Sequence, residues 1–106
     1  MWKLFQTTQF KKDLRRVGNN KKKLLALKEV LEQLSQTGKV SSRYKPHHLT
    51  GNYQGAMECH VENDFLLIWI DAETHIIKLV RLGSHSELFW SFDKLSHCAQ
   101  KELFTP

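Results

Sequence analysis

The apolar residues of this chain change their period once, near residue 55, from about 3.6 residues to about 2. Before that point Phe10, Leu14 and Val17, then Leu24, Leu27, Leu31 and Leu34, recur at helical spacing. After it Met57, Cys59 and Val61 alternate with Ala56, Glu58 and His60. A helical stripe presents one face only as a helix, and an alternating run presents one face only as a strand. The chain must therefore build helices first and a sheet second.

Local signals refine that division. Residues 3–6 suit a short first strand. A helix is expected from about Thr8, ended by Gly18, and Asn20 suits the cap of a second helix that runs to about Gln36. Leu25 and Val30 widen its apolar stripe, and Gly38 stops it. The two helices read as an antiparallel pair. Residues 38–55 are irregular. Glu62-Asn63 suits a hairpin turn, residues 65–70 are apolar on both faces as in a central strand, and residues 76–82 form the last strand. Ser84 and Glu87 have capping-box spacing, so a helix should begin with His85 in its first turn. Leu88, Phe92, Leu95, Ala99 and Leu103 carry that helix to about Phe104. The expected fold is α+β, with two N-terminal helices packed on a small antiparallel sheet and an extended C-terminal helix.

The length of 106 residues fits one core. No apolar run approaches the roughly 20 residues of a membrane span, and the first residues lack the pattern of a signal peptide. Cys59 and Cys98 give neither a disulfide framework nor metal spacing, which fits a reducing cytoplasm. The net charge of +5 is unevenly spread: residues 1–50 carry twelve Lys and Arg against three acidic residues, and residues 51–106 carry four against eight. That asymmetry points to a polyanion or an acidic partner, or to a solubilising helix face. Lys21, Lys22 and Lys23 open the second helix, where cations oppose the helix dipole. Contact with phosphate explains them, and so does a tolerated solvated cluster.

Five of the six histidines lie between positions 47 and 85. Cleavage of RNA through its own 2′-OH needs a base for that hydroxyl, a cation for the crowded phosphorane and an acid for the departing 5′ oxygen. Histidine serves both proton transfers near neutral pH, arginine suits phosphate oxygens, and no metal is required. At a helix start, His85 is disfavoured as imidazolium, and the free backbone N–H groups there suit phosphate. Each candidate also has a plainer account. His85 can be an idle first-turn residue, His60 a surface partner of Glu58, Asp64 a turn residue, and Arg81 a strand-end cation paired with Glu58 or Glu62. His47 and His48 can be loop residues after Pro46. His75 and His97 have no expected role. The spacings do not suit a zinc site.

Three blocks carry a resemblance: Tyr44-Lys45-Pro46-His47-His48-Leu49-Thr50-Gly51, Cys59-His60-Val61-Glu62-Asn63-Asp64, and Arg81-Leu82-Gly83-Ser84-His85-Ser86-Glu87-Leu88-Phe89. Together they resemble the YafQ branch of the RelE/ParE toxin superfamily over about residues 2–90, leaving 91–106 as a C-terminal helical extension of the same domain. The resemblance implies the toxin of a type II toxin–antitoxin system, a metal-independent and cofactor-free endoribonuclease (mRNA interferase) of the cytoplasm. It would cut mRNA in the ribosomal A site by 2′-OH attack, with contacts to 16S and 23S rRNA. A cognate antitoxin of ribbon-helix-helix type would silence it and mediate any binding to operator DNA. The family's catalytic positions fall on His47, His60, Asp64 and His85. Its RNA-facing positions fall on Arg81 and Phe89; Lys21, Lys22 and Lys23 are candidate phosphate contacts on charge alone. The family usually has Asp before the first histidine and often Pro after it, where this chain has Pro46 and His48. A gyrase inhibitor of the ParE kind and a non-enzymatic RNA- or antitoxin-binding relative are the alternatives on the same fold.

Overall fold

A computed structural model of the chain describes residues 1–90. Its elements are β1 (Lys3–Gln6), α1 (Thr8–Val17), α2 (Lys21–Thr37), β2 (His47–His48), β3 (Met57–Glu62), β4 (Phe65–Glu73) and β5 (Ile76–Gly83), with 3-10 turns at Ser42–Tyr44 and Gly51–Tyr53. A π-helical turn spans Ser86–Trp90. The sheet order is β1-β5-β4-β3-β2. The expected antiparallel sheet is thus corrected to a mixed five-stranded one, because β1 runs parallel to β5 at one edge, Leu4 opposite Ile77. The expected extension of the last helix falls on 91–106, outside the described residues.

Both helices start as their caps dictate. The Thr7 hydroxyl accepts from the Phe10 N–H (3.2 Å) and donates to the Leu79 carbonyl (2.8 Å), so one side chain starts α1 and fastens it to β5. The Asn20 side chain accepts from the Lys23 N–H at 3.1 Å. Gly38 ends α2 in the left-handed conformation (φ 74°), and Trp2 packs so closely there that a Cβ would lie 2.5 Å from its ring. α1 packs on β5, and α2 on β3 and β1.

The sheet separates two cores. Phe10, Leu27, Val30 and Leu34 meet Cys59, Val61, Leu67, Trp69 and Leu79 on the helix side. Tyr53, Ala56, Leu66, Ile68 and Leu88 form a smaller core on the opposite face. That makes β4 buried on both faces, as its unbroken apolar run requires. Besides a register shift between Asp71 and Glu73, two irregularities break the alternation. Trp69 stands opposite Leu79 while its neighbour Ile68 stands opposite Arg81, so Val80 is an extra residue in β5. This bulge places Arg81 directly opposite Ile68. A second irregularity lies between His60 and Glu62.

Candidate functional site

The non-helical face of the sheet carries the polar cluster. His47 stands opposite Glu58, Glu58 opposite Ile68, and Ile68 opposite Arg81, forming one row across four strands. Directly opposed residues share a face. The neighbouring row runs from His60 through Leu66 to Gly83, which puts the backbones of His60 and Gly83 about 10 Å apart, two strand spacings. The turn carrying His85 follows Gly83 at once. Strand pairing therefore gathers His47, His60 and the His85 turn along one end of the sheet.

His47 is held at both ring nitrogens. Nδ1 lies 3.0 Å from the Lys45 carbonyl, and Nε2 lies 2.9 Å from Oε1 of Glu58. A carbonyl only accepts, so Nδ1 carries a proton. Nε2 facing a carboxyl oxygen then requires a second proton between the two, giving either imidazolium with carboxylate or imidazole with carboxylic acid. Glu58 is 4% exposed, and its Oε2 is buried with no hydrogen-bond partner among the described residues. Lys45 has φ 52° and ψ 54°, a left-handed conformation that costs of order 1–3 kcal/mol for a non-glycine residue. In this conformation Lys45, just before Pro46, turns its carbonyl onto His47. The His60 ring is 6.2 Å from that of His47. His48 points the other way along the edge and is exposed, opposite Met57.

The His85 turn is fastened by three carboxylates from three places. Asp13 accepts from the Leu82 N–H at 3.0 Å. Glu87 accepts from the Ser84 N–H at 2.8 Å, and the Ser84 hydroxyl accepts from the Glu87 N–H at 3.2 Å, which is the expected capping box. Asp64 accepts from the His85 N–H at 2.8 Å. The hairpin between β3 and β4 thus reaches across to the turn after β5. The hydrogen bond from Ser84, opposed by partial burial and aided by Arg16, holds the Glu87 carboxyl below its ordinary pKa.

Arg81 is paired with neither Glu58 nor Glu62. Its Nε lies 2.8 Å from Asp13, which is 1% exposed. Burial works to lower the Arg81 pKa, but the bond to Asp13 outweighs it and leaves the guanidinium more firmly protonated than usual. Only a tenth of the Arg81 side chain remains exposed. Tyr53 also hydrogen-bonds Arg81 and, at 3.4 Å, donates to the Leu88 carbonyl; burial raises its pKa.

Lys21 and Lys22 are exposed, whereas the Lys23 ammonium sits 5.2 Å from the centre of the Phe65 ring. The Phe89 backbone belongs to the π-helical turn; its side chain lies outside the description. His75 occupies the β4–β5 turn at φ 63° and packs on Trp2, away from this cluster. His97 is outside the described residues. Sequence reasoning missed two partners, Glu58 for His47 and Asp13 for Arg81. Asp13 had a signal: it lies on the stripe of Phe10 and Val17, where a carboxylate needs a buried partner.

Two helices packed on a mixed five-stranded sheet are the architecture of the RelE-like toxins. The chain belongs to the YafQ family of bacterial toxins of type II toxin–antitoxin systems, whose description matches residues 2–90. It is 30% identical over 82 residues to the mRNA interferase toxin YafQ of Escherichia coli K12, an endoribonuclease, spanning 76% of this chain and 88% of the relative. A metal-bound toxin from Helicobacter pylori superposes with a TM-score of 0.73 at 36% identity, covering 84% of this chain and all of that one. YafQ in the E. coli DinJ–YafQ complex superposes with a TM-score of 0.71 at 28% identity, covering 84% and 99%. Among the described residues of this chain, no three His, Cys, Asp or Glu side chains converge to hold a metal ion. None of their helices is long and apolar enough to cross a membrane.

Proposed function

We propose that this chain is a ribosome-dependent endoribonuclease that cleaves mRNA by attack of a ribose 2′-OH on the adjacent phosphate. The reading rests above all on the His47–Glu58 pair, which holds a proton beside His60 on the same sheet face as Arg81. A base removes the 2′-OH proton as the O2′–P bond forms, the P–O5′ bond breaks, and an acid protonates the leaving oxygen. The products are a cyclic phosphate and a 5′-OH. His60 and His85 carry the two proton transfers. His47, charged through Glu58, stabilises the phosphorane, and Asp64 fixes the His85 turn. Each proton transfer is typically worth about 10²–10⁴-fold. Arg81 contributes positive potential from the floor of the site, with Asp13 holding it in place. Phe89 stacks on a base, and Lys21 and Lys22 meet ribosomal RNA. The chemistry needs no metal.

The DinJ–YafQ complex supports a cognate antitoxin as partner. For this chain we assign a ribbon-helix-helix antitoxin, promoter binding only through it, and action in the cytoplasm. The deciding experiment maps mRNA 5′ ends in cells after controlled expression, beside His85→Ala and His75→Ala. New cleavages in translated messages, lost in His85→Ala and kept in His75→Ala, are expected. Gyrase-linked DNA damage without cleavage makes the chain a ParE-like inhibitor, and growth arrest with neither effect makes it a binding relative. Equal cleavage by the two variants rejects the assigned site.

A further inference from the structure

A pocket of about 300 Å³ opens beside His60, between the segment of Arg43, Tyr44 and Lys45 and the segment of His60, Glu62 and Asn63. We infer that it receives one unpaired nucleotide of the RNA next to the cleaved bond, and that Arg43, Glu62 and Asn63 set the base preference there. This rests on the nuclease reading above.

The pocket and the histidine cluster share two residues. His60 lines the pocket and has its ring 6.2 Å from that of His47. Lys45 lines it too, while its carbonyl holds Nδ1 of His47. A strand whose scissile phosphate lies on the histidines must place its neighbouring nucleotide at this opening. The volume lies at the low end of small-molecule sites, about 300–1,000 Å³, and suits a single nucleotide.

The lining chemistry divides as a nucleotide does. Arg43 and Lys45 are exposed cations on one wall, suited to a phosphate. The Arg43 guanidinium lies 5.0 Å from the centre of the Tyr44 ring, and 70% of its side chain is exposed. Its Nη1 also lies 3.7 Å from Oε1 of Glu29, and the exposed remainder of that planar group can stack a base. On the opposite wall the Glu62 carboxylate can accept from a base amino group, and the Asn63 amide can both donate and accept. Unpaired bases are read by stacking and by hydrogen bonds along their edges. A peptide anchored by apolar side chains would find little surface here, since the walls are mostly polar.

The test uses the full chain in a translating cell-free extract, with a reporter library randomised around the cleaved codon. Arg43→Ala, Glu62→Gln and Asn63→Ala are compared with the wild type and with Lys39→Ala, which lies outside the pocket. The expected result is a loss of about tenfold in discrimination at one base position, the scale of one good base-edge contact. Half-saturation should move to higher toxin concentration, while the single-turnover rate on the best message stays essentially unchanged. A thermal melt confirms that each variant is folded, and Arg43→Lys should restore affinity but not stacking-dependent preference. An unaltered cleavage profile in all three folded variants overturns the pocket assignment alone. Weakened antitoxin binding with an unaltered profile also overturns it and makes the pocket a protein contact. Failure of the wild type to cut any translated message overturns the nuclease reading and this inference together.

Discussion

Nε2 of His47 stands 2.9 Å from Oε1 of Glu58, and the other oxygen of that carboxyl is buried with no hydrogen-bond partner among the described residues. A structure selected for stability alone has little reason to keep this arrangement. Burying a carboxylate oxygen without a hydrogen bond costs free energy. The pair therefore gives a test that separates function from folding. Glu58→Gln keeps the shape, removes the charge, and lets His47 stay neutral. Cleavage should fall on the order of 10²-fold, the scale of one positioned proton-transfer or charge-stabilising group. The thermal midpoint should stay level or rise. A large fall in midpoint would make Glu58 a structural residue.

The second ion pair predicts the opposite pattern. Asp13 is buried and binds the Arg81 guanidinium and the Leu82 N–H together. Asp13→Ala removes the guanidinium's counter-charge and the acceptor of the Leu82 N–H, and breaking a buried pair from one side costs about 3–5 kcal/mol. Asp13→Asn retains hydrogen-bonding capacity and should cost less. Replacing both partners, Asp13→Leu with Arg81→Met, should recover much of the lost stability without recovering cleavage. Urea denaturation of the four proteins checks the order. If the double variant cuts mRNA as well as the wild type, Arg81 has no part in the reaction.

Glu87 gives the fold a dependence on acid pH. Its carboxyl pKa is lowered from 4.5, chiefly by the hydrogen bond from the Ser84 N–H. A carboxyl with a lower pKa folded than unfolded adds stability that is fully present above the unfolded value. That stability is lost as the pH falls through the folded value. Wild-type urea midpoints should therefore exceed those of Glu87→Gln at pH 7, and the two should converge as the pH falls through the lowered folded value. A gap that persists unchanged at low pH would assign the difference to shape rather than charge.

Much of the scaffold was legible because it is local. Asn20 and Gly38 bound α2, and the Ser84–Glu87 capping box forms as spaced. Alternation already put Glu58 and His60 on one face. What sequence reasoning could not supply was pairing between distant segments. β2 has only two residues, too short to show a period, yet its register sets His47 opposite Glu58. The parallel pairing of β1 with β5 spans most of the chain and leaves no local pattern. The extra residue Val80 decides which face Arg81 takes, and its apolar side chain looks like any other in that strand. The family resemblance marked the positions, whereas the tertiary pairing shows what each one touches.

Cys59 offers a chemical check on the core between helices and sheet. It sits on β3, fully buried in the core beneath the helices, and burial, helped by the neighbouring Glu58 charge, pushes its thiol pKa up to about 12. The thiolate is the reactive form, so a buried thiol with a raised pKa is inert by access and by chemistry alike. In a Cys98→Ser background, which leaves one thiol, iodoacetamide at pH 8 should not label the folded chain. Complete labelling should follow in guanidinium. Between these limits the rate should track global unfolding, so Asp13→Ala should label faster than Glu58→Gln. Rapid labelling of the folded wild type would mean that the sheet opens beneath α2, and would contradict the packing described above.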